Sequence, residues 1–283
     1  MMKLFTTTAL LAALAMPALA VQPAEGEKLA QNQTYTYWLL DAIKSLDPAK
    51  NTDVEGSDVL RSLFEGLMNE DAKGAMIPGV AESFEESDDK LTYTFRLRDA
   101  KWSNGDPVTA GDFVYAWRRA ADPETASPYQ WFMELMSLEN ASEIVAGEAD
   151  PETLGVTAID DYTLEVKLTA PLPYFPQMTT HSTTFPSPQS VIEEHGSEWT
   201  KPENIVSNGA YVLEEHLPGE RSVRVRNEMY WDNENTIIDR VVALVINDEN
   251  VAPRMPSRPV RPPRTPTRSP ANGPSGIDHP SAT

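Results

Sequence analysis

The clearest alternation in the chain runs over residues 90–98. Leu91, Tyr93, Phe95 and Leu97 fall on one side, and Thr92, Thr94, Arg96 and Arg98 on the other. A period of two in a segment rich in aromatic and β-branched residues predicts a half-buried strand. Asn104-Gly105 then supplies turn chemistry, since both residues tolerate positive φ. The period changes next. Thr109 can cap a helix whose third residue is Asp112, a variant of the capping box, and Val108 and Phe113 stand where a hydrophobic staple packs. Phe113, Trp117 and Ala120 continue one face, and Asp122-Pro123 ends it.

The same reading applied along the chain predicts further elements. Residues 34–40 read as a strand rich in Tyr and Trp, and Ser45-Leu46-Asp47-Pro48 as a turn. Thr52-Asp53-Val54-Glu55-Gly56 reads as a short linker into a helix on which Val59, Leu60, Leu63, Phe64 and Leu67 form one apolar stripe. Glu85-Glu86-Ser87-Asp88-Asp89 reads as a solvated turn. Thr125 to Phe132 sets Tyr129, Trp131 and Phe132 after a proline turn, as ligand contacts or as a satellite hydrophobic cluster, and helix-like sequence follows to Gly147. Residues 162–168 alternate again, with Leu164, Val166 and Leu168 inward. Five prolines over residues 171–188 disfavour regular structure and suit a crossing between lobes. A helix follows, capped by Ser187, with Pro188 in its first turn, Val191 and Ile192 buried, His195 at its end and Gly196 stopping it. Ser207-Asn208-Gly209-Ala210-Tyr211 turns into a strand. Residues 222–226 alternate, and the wholly apolar residues 241–246 read as a strand buried on both faces. Strands and helices in this irregular order predict an α/β (mixed α+β) chain.

Composition narrows the chemistry. The 283 residues contain no cysteine, which excludes disulfides, cysteine-ligated zinc, a thiol nucleophile and a lipid-anchoring cysteine. The net charge is −20, unsuited to a nucleic-acid partner. That charge is uneven: residues 1–250 hold 18 basic and 42 acidic residues, whereas residues 251–283 hold five Arg, one Asp and nine Pro. The last segment is too poor in apolar residues to offset its ordering entropy, and its composition predicts disorder. Residues 1–20 combine Lys3, a short apolar run and Ala18-Leu19-Ala20, the pattern of a cleavable export signal. The mature chain is therefore expected to be soluble, free in the periplasm and not lipid-anchored.

No Gly-x-Ser-x-Gly, His-Glu-x-x-His, phosphate-binding or dinucleotide-binding glycine motif occurs. The histidines, His181, His195, His216 and His279, have no metal-ligand spacing, so no metal or cofactor is expected. His195 reads as a helix-end residue rather than a catalytic base. Acidic pairs are abundant, and from the residues alone a secreted acidic hydrolase using a carboxylate pair stays open, as does a fragment without function.

Several motifs stand together in a recognisable order. They include Ser45-Leu46-Asp47-Pro48, Leu63-Phe64-Glu65-Gly66-Leu67 and Ala81-Glu82-Ser83. Ala100-Lys101-Trp102-Ser103-Asn104-Gly105-Asp106-Pro107-Val108-Thr109-Ala110 and Asp112-Phe113-Val114-Tyr115-Ala116-Trp117 follow. Further on stand Ser127-Pro128-Tyr129, Ala158-Ile159-Asp160-Asp161 and Asn208-Gly209-Ala210-Tyr211. In these the chain resembles the extracellular solute-binding proteins that serve peptide and nickel ABC importers, in particular the oligopeptide-binding ones.

The resemblance implies a two-lobed periplasmic-binding-protein type II architecture, a binding function and no catalysis. It divides the chain into a signal peptide (1–20), a first part of lobe I (21–64), an inserted domain (65–187), a second part of lobe I (188–250) and the tail (251–283). It implies oligopeptides and importer permease subunits as partners of a soluble monomer. It places Thr52, Asp53, Val54 and Glu55 as a short extended segment that pairs with the peptide backbone, with Tyr129 and His181 near side-chain pockets. It also implies a missing second lobe, impaired binding, and a frameshifted or misassembled end over residues 251–283.

Overall fold

A computed structural model describes residues 29–247. The export-signal pattern and the basic tail lie outside the described residues. In chain order the regular elements begin with β1 (Thr34–Leu39), α1 (Val54–Leu63), β2 (Met68–Glu70), β3 (Met76–Pro78), β4 (Ala81–Glu86), β5 (Thr92–Leu97) and α2 (Ala110–Ala121). They continue with α3 (Gln130–Leu135), α4 (Ala141–Val145), β6 (Val156–Asp160), β7 (Thr163–Lys167), α5 (Phe175–Met178) and α6 (Gln189–His195). The series closes with β8 (Tyr211–Leu217), β9 (Arg221–Arg226) and β10 (Arg240–Val245). This is a mixed α/β arrangement.

Two four-stranded sheets organise it. One, in the order β4-β5-β7-β6, is wholly antiparallel and is made from one continuous stretch of chain. The other, in the order β1-β10-β9-β8, joins the two ends of the described chain, with β1 parallel to β10. A two-stranded ribbon, β2-β3, lies between them in sequence. A single cluster of buried apolar residues runs through both parts.

The alternation over residues 90–98 is strand β5, and the buried positions are the expected ones: Tyr93, Phe95 and Leu97. Phe95 faces Leu164 and Tyr93 faces Val166 on β7. Such aligned apolar pairs contribute roughly 0.2–1 kcal/mol each. Phe175 closes over them, its ring 4.8 Å from Tyr93 and 6.4 Å from Trp117 of α2. The start of α2 follows the sequence reading: the Asp112 carboxylate accepts the Thr109 N–H at 2.7 Å, and Val108 and Phe113 are both buried. Gly105 takes positive φ in the turn before it.

Two family motifs clasp each other. Asn208 exchanges two hydrogen bonds with the Glu65 main chain, at 3.1 and 2.9 Å, and Gly209 N–H donates to Leu63 O at 2.9 Å. A Cβ on Gly209 would stand 2.8 Å from Ser62 O, so only glycine allows this approach. The Glu65 carboxylate then accepts from Trp231 Nε1 (2.5 Å), Tyr230 Oη (2.8 Å) and Asn69 Nδ2 (3.1 Å), with Arg98 stacked 3.5 Å over the Trp231 ring.

Tertiary context overrides several expectations. Helix α1 begins at Val54, so Val54 and Glu55 are helical rather than extended, because Asp53 caps the helix by accepting Gly56 N–H at 2.7 Å. The helix ends at Leu63, so Phe64 and Leu67 are buried beyond it, not on its stripe. Glu85 and Glu86 extend β4, and the turn falls later, at Lys90 with positive φ.

The proline-rich residues 171–188 take up regular structure despite their prolines. They fold back as α5 and a 3₁₀ turn (Ser182–Thr184) whose Phe175, Thr184 and Phe185 are buried, fixed by Trp117 Nε1 donating to Thr184 O at 2.9 Å. Ser187 does not cap α6. Its N–H is drawn to Asp112 O, which moves the N-cap to Pro188, and Val191 is only half-buried. On β10 only Val241 and Ala243 are buried, so that strand covers one face instead of two. On β9 the reverse holds, since Ser222, Val223 and Arg224 are all buried.

Candidate functional site

Two groups of sequence-predicted residues come together in separate places. The first surrounds the start of α1. Thr52 is exposed, Asp53 is extended (φ −117°, ψ 156°) and both its carboxylate oxygens are used, one by Gly56 N–H and the other by Lys44 N–H at 3.2 Å. Val54 is 81 % exposed, which is unusual for an aliphatic side chain in a chain with a well-filled core. With Glu55 it borders a groove of about 330 Å³ whose opposite wall is the end of β1, where Trp38 and Leu40 stand exposed. Tyr37 and Asp58 complete the lining. The first N–H groups of a helix have no intrahelical acceptor, and Val54 and Glu55, which line this groove, are the first two residues of α1.

The second group is aromatic. The His181 ring lies 5.2 Å from Tyr129 and 4.6 Å from Phe132, and Tyr129 lies 5.5 Å from Trp131, which is 48 % exposed. Tyr129 is the N-cap residue of α3, and the short turn after α5 delivers His181. His181 Nδ1 accepts Thr183 N–H at 3.2 Å, which places the imidazole proton on Nε2. Burial, and then the positive charge of Arg61, hold His181 below the ordinary histidine pKa. Arg61 in turn stands 3.9 Å from Glu70, whose Oε1 accepts from Gln177 (2.7 Å) and Thr180 (3.4 Å). The result is a neutral, stacked aromatic wall with one cation beside it.

Among the described residues no hydrogen bond or ring contact joins the two groups. Nor does any cluster of three or more His, Cys, Asp or Glu stand where it could hold a metal ion, and no helix is long and apolar enough to cross a membrane. The sequence reading missed Trp38 and Asp58. Asp58 lies three residues after Glu55, a spacing that sets both on one side of a helix. That signal becomes visible only once the helix is known to start at Val54. Trp38 lay within a predicted strand, where an aromatic residue ordinarily reads as core.

The sequence profile of "Bacterial extracellular solute-binding proteins, family 5 Middle" matches residues 75–255. The periplasmic oligopeptide-binding protein OppA of Salmonella typhimurium is 48% identical over 243 residues, covering 86% of this chain and 44% of that protein. The periplasmic murein peptide-binding protein MppA of Escherichia coli is 44% identical over 248 residues, covering 87% of this chain and 46% of that protein. The solved structure of Haemophilus influenzae OppA in complex with RPPGFSPFR superposes with a TM-score of 0.78 at 44% identity, over 79% of this chain and 44% of that one. The chain therefore spans about half the length of the relatives it matches, and within that half it has their fold. With the profile covering more than half of its own residues, this chain belongs to the family 5 bacterial extracellular solute-binding proteins.

Proposed function

We propose that this chain captures short peptides in the periplasm, as the substrate-binding component of an oligopeptide ABC importer, without altering them. The observation that carries the reading is its 44% identity to a relative solved with a bound peptide, RPPGFSPFR. The site is the groove at Thr52, Asp53, Val54 and Glu55 together with the Tyr129–His181 wall. In this reading the peptide main chain meets the extended backbone at Asp53 and the free N–H groups of Val54 and Glu55. Main-chain hydrogen bonds ignore side-chain identity, which suits a receptor for many sequences. The aromatic wall takes an apolar or aromatic side chain of the ligand, by area and by ring stacking. In the same reading residues 21–64 and 188–250 form one lobe, residues 65–187 are inserted into it, and the permease subunits of the importer are the macromolecular partners.

An NMR titration of the 283-residue chain with tri- and tetrapeptides tests this. The amides of Val54, Glu55, Tyr129 and His181 should shift in a saturable way, and the peptide should be recovered intact. Absence of any shift at those residues up to millimolar peptide would refute the reading, and cleavage of the peptide would replace it with a hydrolase.

A further inference from the structure

The groove beside Val54 is bounded by two elements anchored at opposite edges of one sheet. Strand β1 is one edge and hydrogen-bonds to β10, whereas α1 packs on β8, the other edge. One buried cation fastens them. Arg224 on β9 is 2 % exposed. Its Nη1 donates to Ser62 Oγ of α1 at 2.5 Å, and its Nη2 donates to Tyr37 Oη of β1 at 2.7 Å. A guanidinium has donors and no acceptor, so the Tyr37 oxygen must accept and its hydrogen is left to donate elsewhere. That hydrogen goes to Asp58 Oδ2 of α1, at 2.5 Å. The relay therefore has a fixed direction, from Arg224 through the Tyr37 hydroxyl to Asp58. Burial keeps Tyr37 protonated, against the pull of Arg224 and with the help of Asp58. The carboxylate supplies the countercharge that a buried guanidinium requires, one hydroxyl away.

Resting on the peptide-capture reading above, we propose that Tyr37 and Arg224 are positioning residues for the ligand groove. They hold the end of β1 against the first turns of α1 and orient Asp58 in the groove wall. Neither needs to touch the peptide through its polar atoms. Their effect is on the spacing of Trp38 and Leu40 from Val54 and Glu55, and that spacing decides whether a peptide main chain reaches the helix N–H groups.

The test is a peptide titration of the full chain, followed by NMR, on wild type and on Tyr37→Phe, with thermal unfolding measured in parallel. Tyr37→Phe removes both hydrogen bonds and keeps the ring. Loss of a hydrogen bond to a charged group at this site should weaken trialanine binding by about tenfold, and the amides of Val54 and Glu55 should move already in the free protein. A purely structural role lowers the melting temperature and leaves the Kd of the folded protein unchanged, and that result overturns the proposal. Ser62→Ala removes one of the two bonds that the relay makes to α1, leaving Tyr37–Asp58 in place and the phenol untouched. It should weaken binding in the same direction by a smaller factor, and Ser62→Thr should restore it. An unchanged Kd in Ser62→Ala also overturns the proposal. If wild type gives no peptide response at all, the capture reading fails first. If wild type responds and the variants match it, only the positioning role fails.

Discussion

Arg119 and Asp47 form a two-pronged ion pair in the interior, Nη1 to Oδ1 at 2.8 Å and Nη2 to Oδ2 at 2.6 Å, with both side chains nearly sealed from solvent. Asp47 lies in the turn after β1, and Arg119 in the last turn of α2. Trp199 Nε1 adds a third donor to Asp47 Oδ2 at 3.3 Å. The pair thus locks the helix of one sheet to the loop that leaves the other. A buried pair is weak support for stability in itself, but removing one partner strands a charge. Arg119→Met should therefore cost about 3–5 kcal/mol in chemical denaturation. A loss below about 1 kcal/mol, the range of exposed pairs, would show that solvent reaches the site.

Gly209 is the closest point between the two family motifs. Gly209→Ala places a methyl 2.8 Å from both Ser62 O and Leu63 C, and neither is the free end of a flexible side chain. Overpacking of this kind costs about 1–3 kcal/mol. The variant should melt earlier and should lose hydrogen-exchange protection at the Glu65 and Gly209 amides. Protection equal to wild type at both amides would contradict the clasp.

Burial raises the Glu65 carboxyl above its ordinary value of 4.5, against the hydrogen bonds from Trp231, Tyr230 and Asn69. A raised folded-state pKa means that the native state holds its proton over a range where the unfolded chain has lost it. The contribution is complete below the unfolded value and declines as pH rises through the folded one. Wild type minus Glu65→Gln in unfolding free energy should therefore fall from pH 4.5 upward, whatever constant offset the amide introduces. Parallel stability curves for the two proteins would rule this out.

His181 is shifted the other way, held below the ordinary 6.5 by burial first and by Arg61 second. Its ring-proton titration, followed by NMR, should have a midpoint below 6.5. Arg61→Gln should move that midpoint partway back while leaving the burial effect in place. A midpoint at or above 6.5 in wild type would mean that the aromatic wall is open to water.

Tyr129 belongs to the proposed peptide site, and its removal should act on binding and not on the scaffold. Tyr129→Ala removes one ring from the stack with His181 and Trp131. The ring sits at the edge of the core, so the variant should remain folded while peptide-induced shifts at His181 disappear. Retention of the wild-type shifts would take Tyr129 out of the binding surface.

Much of the local structure was legible in the chain itself. The alternation over residues 90–98 and the capped start of α2 depend on near neighbours, and each appears where its pattern sets it. The motifs carried the family, because their order along the chain survives whatever the folding does.

Other features were decided at a distance. Prolines over residues 171–188 argued against regular structure, yet the rings of Tyr93 and Trp117 draw Phe175 into the core, and the Phe185 ring packs so close to Gly66 that a Cβ there would stand 2.9 Å from it. Arg224 reads as the outward member of an alternating strand, and it is buried because Ser62 and Tyr37, 162 and 187 residues away, supply its acceptors. The same holds for the site. The resemblance to the family nominated Thr52–Glu55, Tyr129 and His181. Only the tertiary structure began a helix at Val54, set Trp38 and Asp58 across and along the groove from it, and brought His181 against Tyr129 while stacking it on Phe132. Periodicity reports the face a residue turns toward its nearest packing partner. Which partner that is, and what groove is left between two of them, depends on contacts between segments that are far apart in the chain.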